Sequence, residues 1–254
     1  MQEKQYNRWL VVIGGVLSQF VIGALYTWSV FQKPIEQMFG WSAPEVSLAF
    51  TINLALIPVF MIITGRVLPK YGPTKLGVLG GAVLATGLFV ASKTTSLGIL
   101  YLGYGVLGGA GIGIAYGIPI ATCVKWFPDK RGMISGLAVM GFGLGSVVFA
   151  PIATSLVAAH GPLKTFFYQS IYTIIGVTLA AQLMKPAPEG YMPPGWTPPQ
   201  TKAGQVGPTK YDFTPREMLR TPQYWFILIL YTFANIAGLM IIGHASPIGQ
   251  QVAN

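Results

Sequence analysis

Residues 94–124 read TTSLGILYLGYGVLGGAGIGIAYGIPIATCV, 31 positions without one charged side chain. A helix rising about 1.5 Å per residue needs about 20 residues to cross a hydrocarbon core of roughly 30 Å, so this stretch is long enough to span a bilayer. Six further uncharged runs surround it: 9–32, 46–65, 76–92, 132–163, 165–184 and 221–254. Only 76–92, at 17 residues, sits at the lower limit of length. Over the 254 residues, 52% are hydrophobic and 9% charged, with a mean hydropathy of +0.57. A soluble domain carries roughly 25% charged residues. The chain is therefore an all-α polytopic membrane protein, and soluble-enzyme, DNA-binding and disordered classes are excluded together.

A net charge of +9 would raise the question of nucleic acid in a soluble chain. Here its distribution answers it. One set of segments holds Lys4, Arg8, Arg66, Lys70, Lys75, Lys125, Lys130, Arg131, Lys185, Lys202, Lys210, Arg216 and Arg220, against Lys33, Lys93 and Lys164 on the other side. The positive-inside rule predicts a multi-pass protein of the cell membrane with a cytoplasmic amino terminus. The first run is too long for the apolar core of a signal peptide. Cys123 stands alone, so no disulfide framework is expected.

The predicted spans are 9–31, 45–67, 76–93, 97–122, 134–158, 164–184 and 223–244. Short loops join the first six, which makes sequence neighbours antiparallel neighbours. Residues 186–200, PAPEGYMPPGWTPPQ, hold six prolines and cannot be helical. Thr214-Pro215-Arg216-Glu217 has capping-box spacing and predicts a short amphipathic helix to Arg220. The division is thus a six-helix bundle at 1–184, a cytoplasmic proline-rich linker at 185–222, and one more helix at 223–254. That order is what the first part of a six-plus-six-helix protein looks like, and the 254 residues are expected to be a partial product.

All seven acids sit at span ends or in loops, Glu45 at the first residue of the second predicted span among them, so the mid-membrane carboxylate usual in proton and cation carriers is missing. Neutral polar and aromatic residues take its place. Gln19, Tyr26 and Lys33 are seven apart, which puts them on one face of the first helix, with Gly23 on that face too. That face is expected to line a polar cavity, and Asn53 on the second span is a further candidate. Gly105, Gly109, Gly113 and Gly117 form a stripe for close helix packing. Gly103–Gly108 matches a dinucleotide fingerprint only formally, since it follows no strand. Pro58, Pro119 and Pro151 are read as kinks. His160 and His244 lie near helix ends, and with one cysteine they offer too few ligands for a metal. No cofactor is expected.

Two loops carry more specific patterns. Gly65-Arg66-Val67-Leu68-Pro69-Lys70-Tyr71-Gly72 joins spans two and three, and Lys125-Trp126-Phe127-Pro128-Asp129-Lys130-Arg131-Gly132 joins four and five. The first resembles the glycine loop of the major facilitator superfamily. The second is similar to the loop of its oxalate:formate antiporter family, whose close relatives include monocarboxylate transporters. Tyr26-x-Trp28, Gly113-x-x-Tyr116-Gly117 and Thr214-Pro-Arg-Glu-Met-Leu add to the resemblance. It implies the six-helix amino-terminal half of a twelve-helix carrier, plus linker and helix 7, each half being two inverted three-helix repeats. It also implies alternating-access transport of small carboxylates such as oxalate, formate or lactate. By motif, Tyr26, Tyr116 and Phe142 are the aromatic cavity residues. Gly65, Arg66, Lys70, Gly72, Asp129, Lys130 and Arg131 are the gating-loop residues. The substrate-pairing cations come from later helices in such carriers, so the carboxy-terminal half or a second copy is the expected partner, beside the lipid bilayer. Two departures stand out: Pro69 where the glycine loop usually has an acid, and Phe142 where tyrosine is frequent.

Two other classes fit the sequence less well. A seven-helix receptor has the opposite amino-terminal orientation, and a retinal protein needs a lysine in the seventh helix, where residues 223–254 have none. An intramembrane serine enzyme would use Ser135 or Ser146 but lacks a well-placed histidine. We predict that a tag on residue 1 is not labelled by an impermeant reagent on intact cells; labelling before permeabilisation would reverse the orientation and revive the receptor class.

Overall fold

Helices stand where the apolar runs lie. The computed structural model describes residues 6–197 and 213–252. Among them, six helices are long and apolar enough to cross a membrane: Arg8–Phe39, Ala43–Tyr71, Pro73–Ala91, Leu97–Trp126, Arg131–His160 and Pro162–Leu183. They are called the first to sixth spans below. Most run past the predicted ends, because caps and turn residues rather than hydrophobicity stop them. Ser42 and Glu45 form a capping box at the start of the second span. Its far end extends through Gly65, Arg66 and Lys70 to Tyr71, so most of the expected glycine loop is helix. The chain reverses at Gly72 with φ +77°, a backbone state open chiefly to glycine, and Pro73 starts the third span.

Two spans are irregular. The first runs as α-helix from Arg8 to Ile22, as 3₁₀-helix over Gly23–Thr27, and as α-helix again from Trp28 to Phe39. A 3₁₀ stretch advances about 120° per residue against about 100° in an α-helix. The straight stripe expected for Gln19, Tyr26 and Lys33 is broken by it: Gln19 is buried, Tyr26 half-buried and Lys33 exposed. The fourth span winds as a π-helix over Tyr101–Gly108.

The spans pack in a pattern with internal exchange symmetry. The main partners of the first span are the fifth, sixth and fourth; those of the fourth are the second, third and first. The third and sixth pack against each other. Exchanging one with four, two with five and three with six returns the same pairs, as two inverted three-helix repeats do. The second and fifth spans are the least covered, with 22% and 28% of their most apolar windows buried.

Glycines set the spacing. A Cβ on Gly105, Gly109, Gly113 or Gly117 of the fourth span would press on Ala49 and Ile52, Asn53, Ile57 and Phe60, or Met61 of the second. The expected stripe thus has one partner, contacted every fourth residue. Gly141 and Gly145 of the fifth span receive the backbone of Val16 and Phe20 in the same way, and Gly23 receives that of Phe142.

Four segments meet at one end of the bundle. Tyr6 donates to the carbonyl of Leu183, Arg8 pairs with Asp129, Thr74 donates to Met184 and the Trp126 indole to Lys185. That end carries Arg8, Arg66, Lys70, Lys75, Lys125, Lys130, Arg131 and Lys185; Lys33, Lys93 and Lys164 lie toward the other. The start of the linker also packs there. Tyr191 meets Trp126 at a tilt, with ring centroids 4.8 Å apart and planes at 58°, and the compact unit runs on to Pro194.

The second unit, Gly195–Asn254, contains a short helix, Pro215–Met218, and a long one, Pro222–Val252. Thr214 and Glu217 cap the short helix reciprocally, with Thr214 N–H donating to Glu217 at 2.9 Å and Glu217 N–H to Thr214 at 3.4 Å. It ends earlier than the expected Arg220. Lys4, Lys202, Lys210 and the side chain of His244 lie outside the described residues.

Gly109→Val should disrupt the bundle, since its side chain meets the Asn53 backbone, 2.6 Å from the first added carbon. Gly136→Ala, with open space around it, should leave the thermal midpoint unchanged or raise it. Equal midpoints for the two variants would refute the packing argument.

Candidate functional site

The first and fifth spans touch at Gly23, where the Phe142 backbone occupies the place of a side chain. This contact brings Tyr26, one 3₁₀ turn on, against Phe142, with ring centroids 5.0 Å apart and planes at 86°. Tyr116 meets Phe142 from the fourth span at 5.2 Å, also at 86°. All three aromatic residues expected at the cavity form one cluster. Phe142, 6% exposed, lies between two half-buried tyrosines. Edge-to-face geometry is the favoured arrangement of ring quadrupoles.

Gln19 sits behind the cluster. It is fully buried, and its Nε2 donates to the Tyr116 carbonyl at 3.3 Å, tying the first span to the fourth. Its Oε1 has no hydrogen-bond partner among the described residues, and neither has Asn53 Oδ1.

Asn53 is placed elsewhere. It is 1% exposed and its Nδ2 donates to the Tyr104 carbonyl at 2.7 Å, inside the π-helical stretch. A π turn displaces backbone carbonyls from the regular ladder, and an amide from the neighbouring helix takes one of them. Glycines at 108 and 109 leave the room it needs. Asn53 also borders an enclosed cavity of about 20 Å³, lined on its polar side by Thr27, Tyr104, Gln169, Tyr172 and Thr173. This is the volume of about one water molecule, far too small for an organic anion. Gln169 donates to Thr27 there at 3.5 Å, and the Tyr104 hydroxyl to the Leu25 carbonyl at 3.4 Å. The polar interior is thus separate from the aromatic cluster, and the Tyr26-x-Trp28 pair divides between them. Trp28 turns inward onto Tyr104 at 4.4 Å.

The loop residues do not act as one group. Asp129 is engaged by Arg8 at 3.1 Å, and the Arg8 guanidinium lies over the Phe127 ring at 4.2 Å. Trp9 meets Phe127 edge-on at 4.9 Å. The loop between the fourth and fifth spans is therefore clasped by the amino-terminal segment, a partnership that spacing in the sequence did not show. Lys130 and Arg131 are exposed, as are Gly65, Arg66 and Lys70. Ser135 and Ser146 donate to carbonyls of their own helix, and His160 packs edge-on against Tyr168.

With this geometry in view, the comparisons with known proteins are specific. The sequence profile of the Major Facilitator Superfamily matches residues 9–253. The chain belongs to that superfamily. It is 31% identical over 250 residues to the MFS-type transporter YhjX of Escherichia coli (strain K12), covering 98% of this chain and 60% of that one. It is 32% identical over 248 residues to the oxalate:formate antiporter of Oxalobacter formigenes, covering 97% and 56%. Over 145 residues it is 32% identical to monocarboxylate transporter 13 of Bos taurus, covering 57% and 34%. The chain spans little more than half the length of the first two relatives.

Asn53→Ala removes the donor to the π-helical carbonyl of Tyr104. It should cost roughly 1 kcal/mol, within the range of interhelical hydrogen bonds in membranes, and lower the thermal midpoint by about 2–4 °C for a protein of this size. An unchanged midpoint in a detergent-solubilised melt would contradict this role.

Proposed function

We propose that this chain forms one half of a secondary carrier that moves small carboxylate anions across the cell membrane by alternating access. The observation that carries the reading is the cluster of Tyr26, Phe142 and Tyr116 in an interior where, among the described residues, no Asp or Glu is buried. Aromatic ring edges are electropositive and tyrosine hydroxyls donate. Such a surface accepts an anion without the repulsion a carboxylate would impose. The Oxalobacter formigenes antiporter and the Bos taurus monocarboxylate transporter support oxalate, formate or a monocarboxylate as the substrate class.

In this reading Tyr26 and Tyr116 contact the substrate, Phe142 shapes the site, and Gln19 keeps Tyr116 in place from behind. Asn53 maintains the winding of the fourth span. The cation that balances the carboxylate comes from a second helical half or a second copy, which covers the sparsely packed second and fifth spans. The two halves rock about the site. Gly65, Arg66, Lys70, Gly72, Lys130 and Arg131 move with the basic, cytoplasmic end, while the Arg8–Asp129 pair holds that end of this half together.

The test is uptake of radiolabelled oxalate, formate and lactate into proteoliposomes holding the protein at its natural length. Tyr26→Phe should raise KM about tenfold, the worth of one hydrogen bond to a charged group. Tyr26→Ala should lower transport further while the protein stays monodisperse. Wild-type rates in both variants would remove Tyr26 from the site, and no uptake of any carboxylate by the wild type would remove the substrate class.

A further inference from the structure

At the basic end of the bundle, the fourth and fifth spans and the segment after the sixth enclose an open groove of about 730 Å³. Ile120 and Val124 form its apolar floor on the fourth span. Lys125 and Arg131 flank it from the last turn of the fourth span and the first turn of the fifth. Glu189 and Tyr191 close it from the linker, which the Trp126–Tyr191 ring contact and the Trp126 bond to Lys185 hold in place. Asp129, the acid between the two cations in sequence, is taken by Arg8. Among the described residues Lys125, Arg131 and Glu189 form no salt bridge.

Two cations at a helix end, over an apolar floor that continues into the membrane-spanning part, match an amphipathic anion. The volume lies in the range of small-molecule sites. We propose that this groove binds a membrane phospholipid, with its phosphate between Lys125 and Arg131 and an acyl chain along Ile120 and Val124. Glu189 sets the headgroup. It repels a second negative charge and accepts a hydrogen bond, so headgroups that carry a donor, an ammonium or a glycerol hydroxyl, bind best. The site is separate from the aromatic cluster and stands whether or not the chain transports carboxylates.

Native mass spectrometry of the full chain in detergent tests this, with phosphatidylethanolamine, phosphatidylglycerol and, as acyl control, diacylglycerol of the same chains. The two phospholipids should bind at least tenfold more tightly than diacylglycerol. Lys125→Ala with Arg131→Ala should weaken them about 25-fold, about fivefold per cation. Lys93→Ala with Lys164→Ala, which removes equal charge from the opposite end, should leave affinity unchanged. Equal loss in both double variants, or diacylglycerol binding as tightly as phospholipid, overturns the site. Inorganic phosphate bound by the wild type in the absence of any lipid binding overturns the lipid as its source. A photoactivatable phosphatidylethanolamine, used on the wild type alone, should label peptides within 120–131 or 187–191; labelling confined to other segments overturns the proposal without any variant having to fold.

Discussion

The bundle depends on helices approaching one another at backbone distance. In a bilayer, lipid tails are as apolar as leucine, so packing rather than water exclusion holds helices together. Packing at that level needs side chains removed on one partner. The fourth span does this with Gly105, Gly109, Gly113 and Gly117, and the second answers with Ala49, Asn53, Ile57 and Met61 at the same spacing. The fifth span repeats it against the first through Gly141 and Gly145. The aromatic cluster follows from that second contact, because Tyr26 reaches Phe142 only where Gly23 admits the Phe142 backbone.

Close approach also settles where polar groups go. Asn53 and Gln19 do not face an open cavity; each spends its amide on a carbonyl of the fourth span, Tyr104 and Tyr116 respectively. The Asn53 bond reaches a carbonyl inside the π-helical stretch, where it supports the irregular winding, while the Gln19 bond reaches the regular α-helical part of the same span. The π stretch over Tyr101–Gly108 and the 3₁₀ stretch over Gly23–Thr27 face each other across the small polar cavity, linked by the Tyr104 hydroxyl and the Leu25 carbonyl. The first and fourth spans, equivalent under the exchange of the two repeats, are the two that depart from α-geometry.

At the basic end, aromatic and ionic contacts combine into a clasp. Arg8 both pairs with Asp129 and lies over Phe127, while Trp126 holds Lys185 and Tyr191. The loop that most resembles the family's signature is therefore also the loop most heavily fastened within this half. Its acid is occupied locally, while Lys130 and Arg131 remain exposed for other work.

Charge-free runs of about 20 residues predict seven spans by themselves, because a continuous helix satisfies its own backbone in lipid, and among the described residues six helices are long and apolar enough to cross a membrane. Glycine periodicity in the fourth span likewise announces a close neighbour, since removing every fourth side chain clears one face of a helix. The capping box at Thr214 and Glu217 was legible for the same local reason. What the sequence did not hold is which helix fills each stripe, and where winding departs from 3.6 residues per turn. Seven-residue spacing put Gln19, Tyr26 and Lys33 on one face only for a straight helix, and the contact of Gly23 with Phe142 accompanies a 3₁₀ turn that separates them. Asn53 is a cavity candidate by its polar type and does border the small cavity, but its hydrogen-bond partner, a carbonyl 51 residues away, exists only once the second and fourth spans are packed. Local periodicity fixes elements and faces, whereas long-range backbone contact decides which faces meet and which polar groups remain for a substrate.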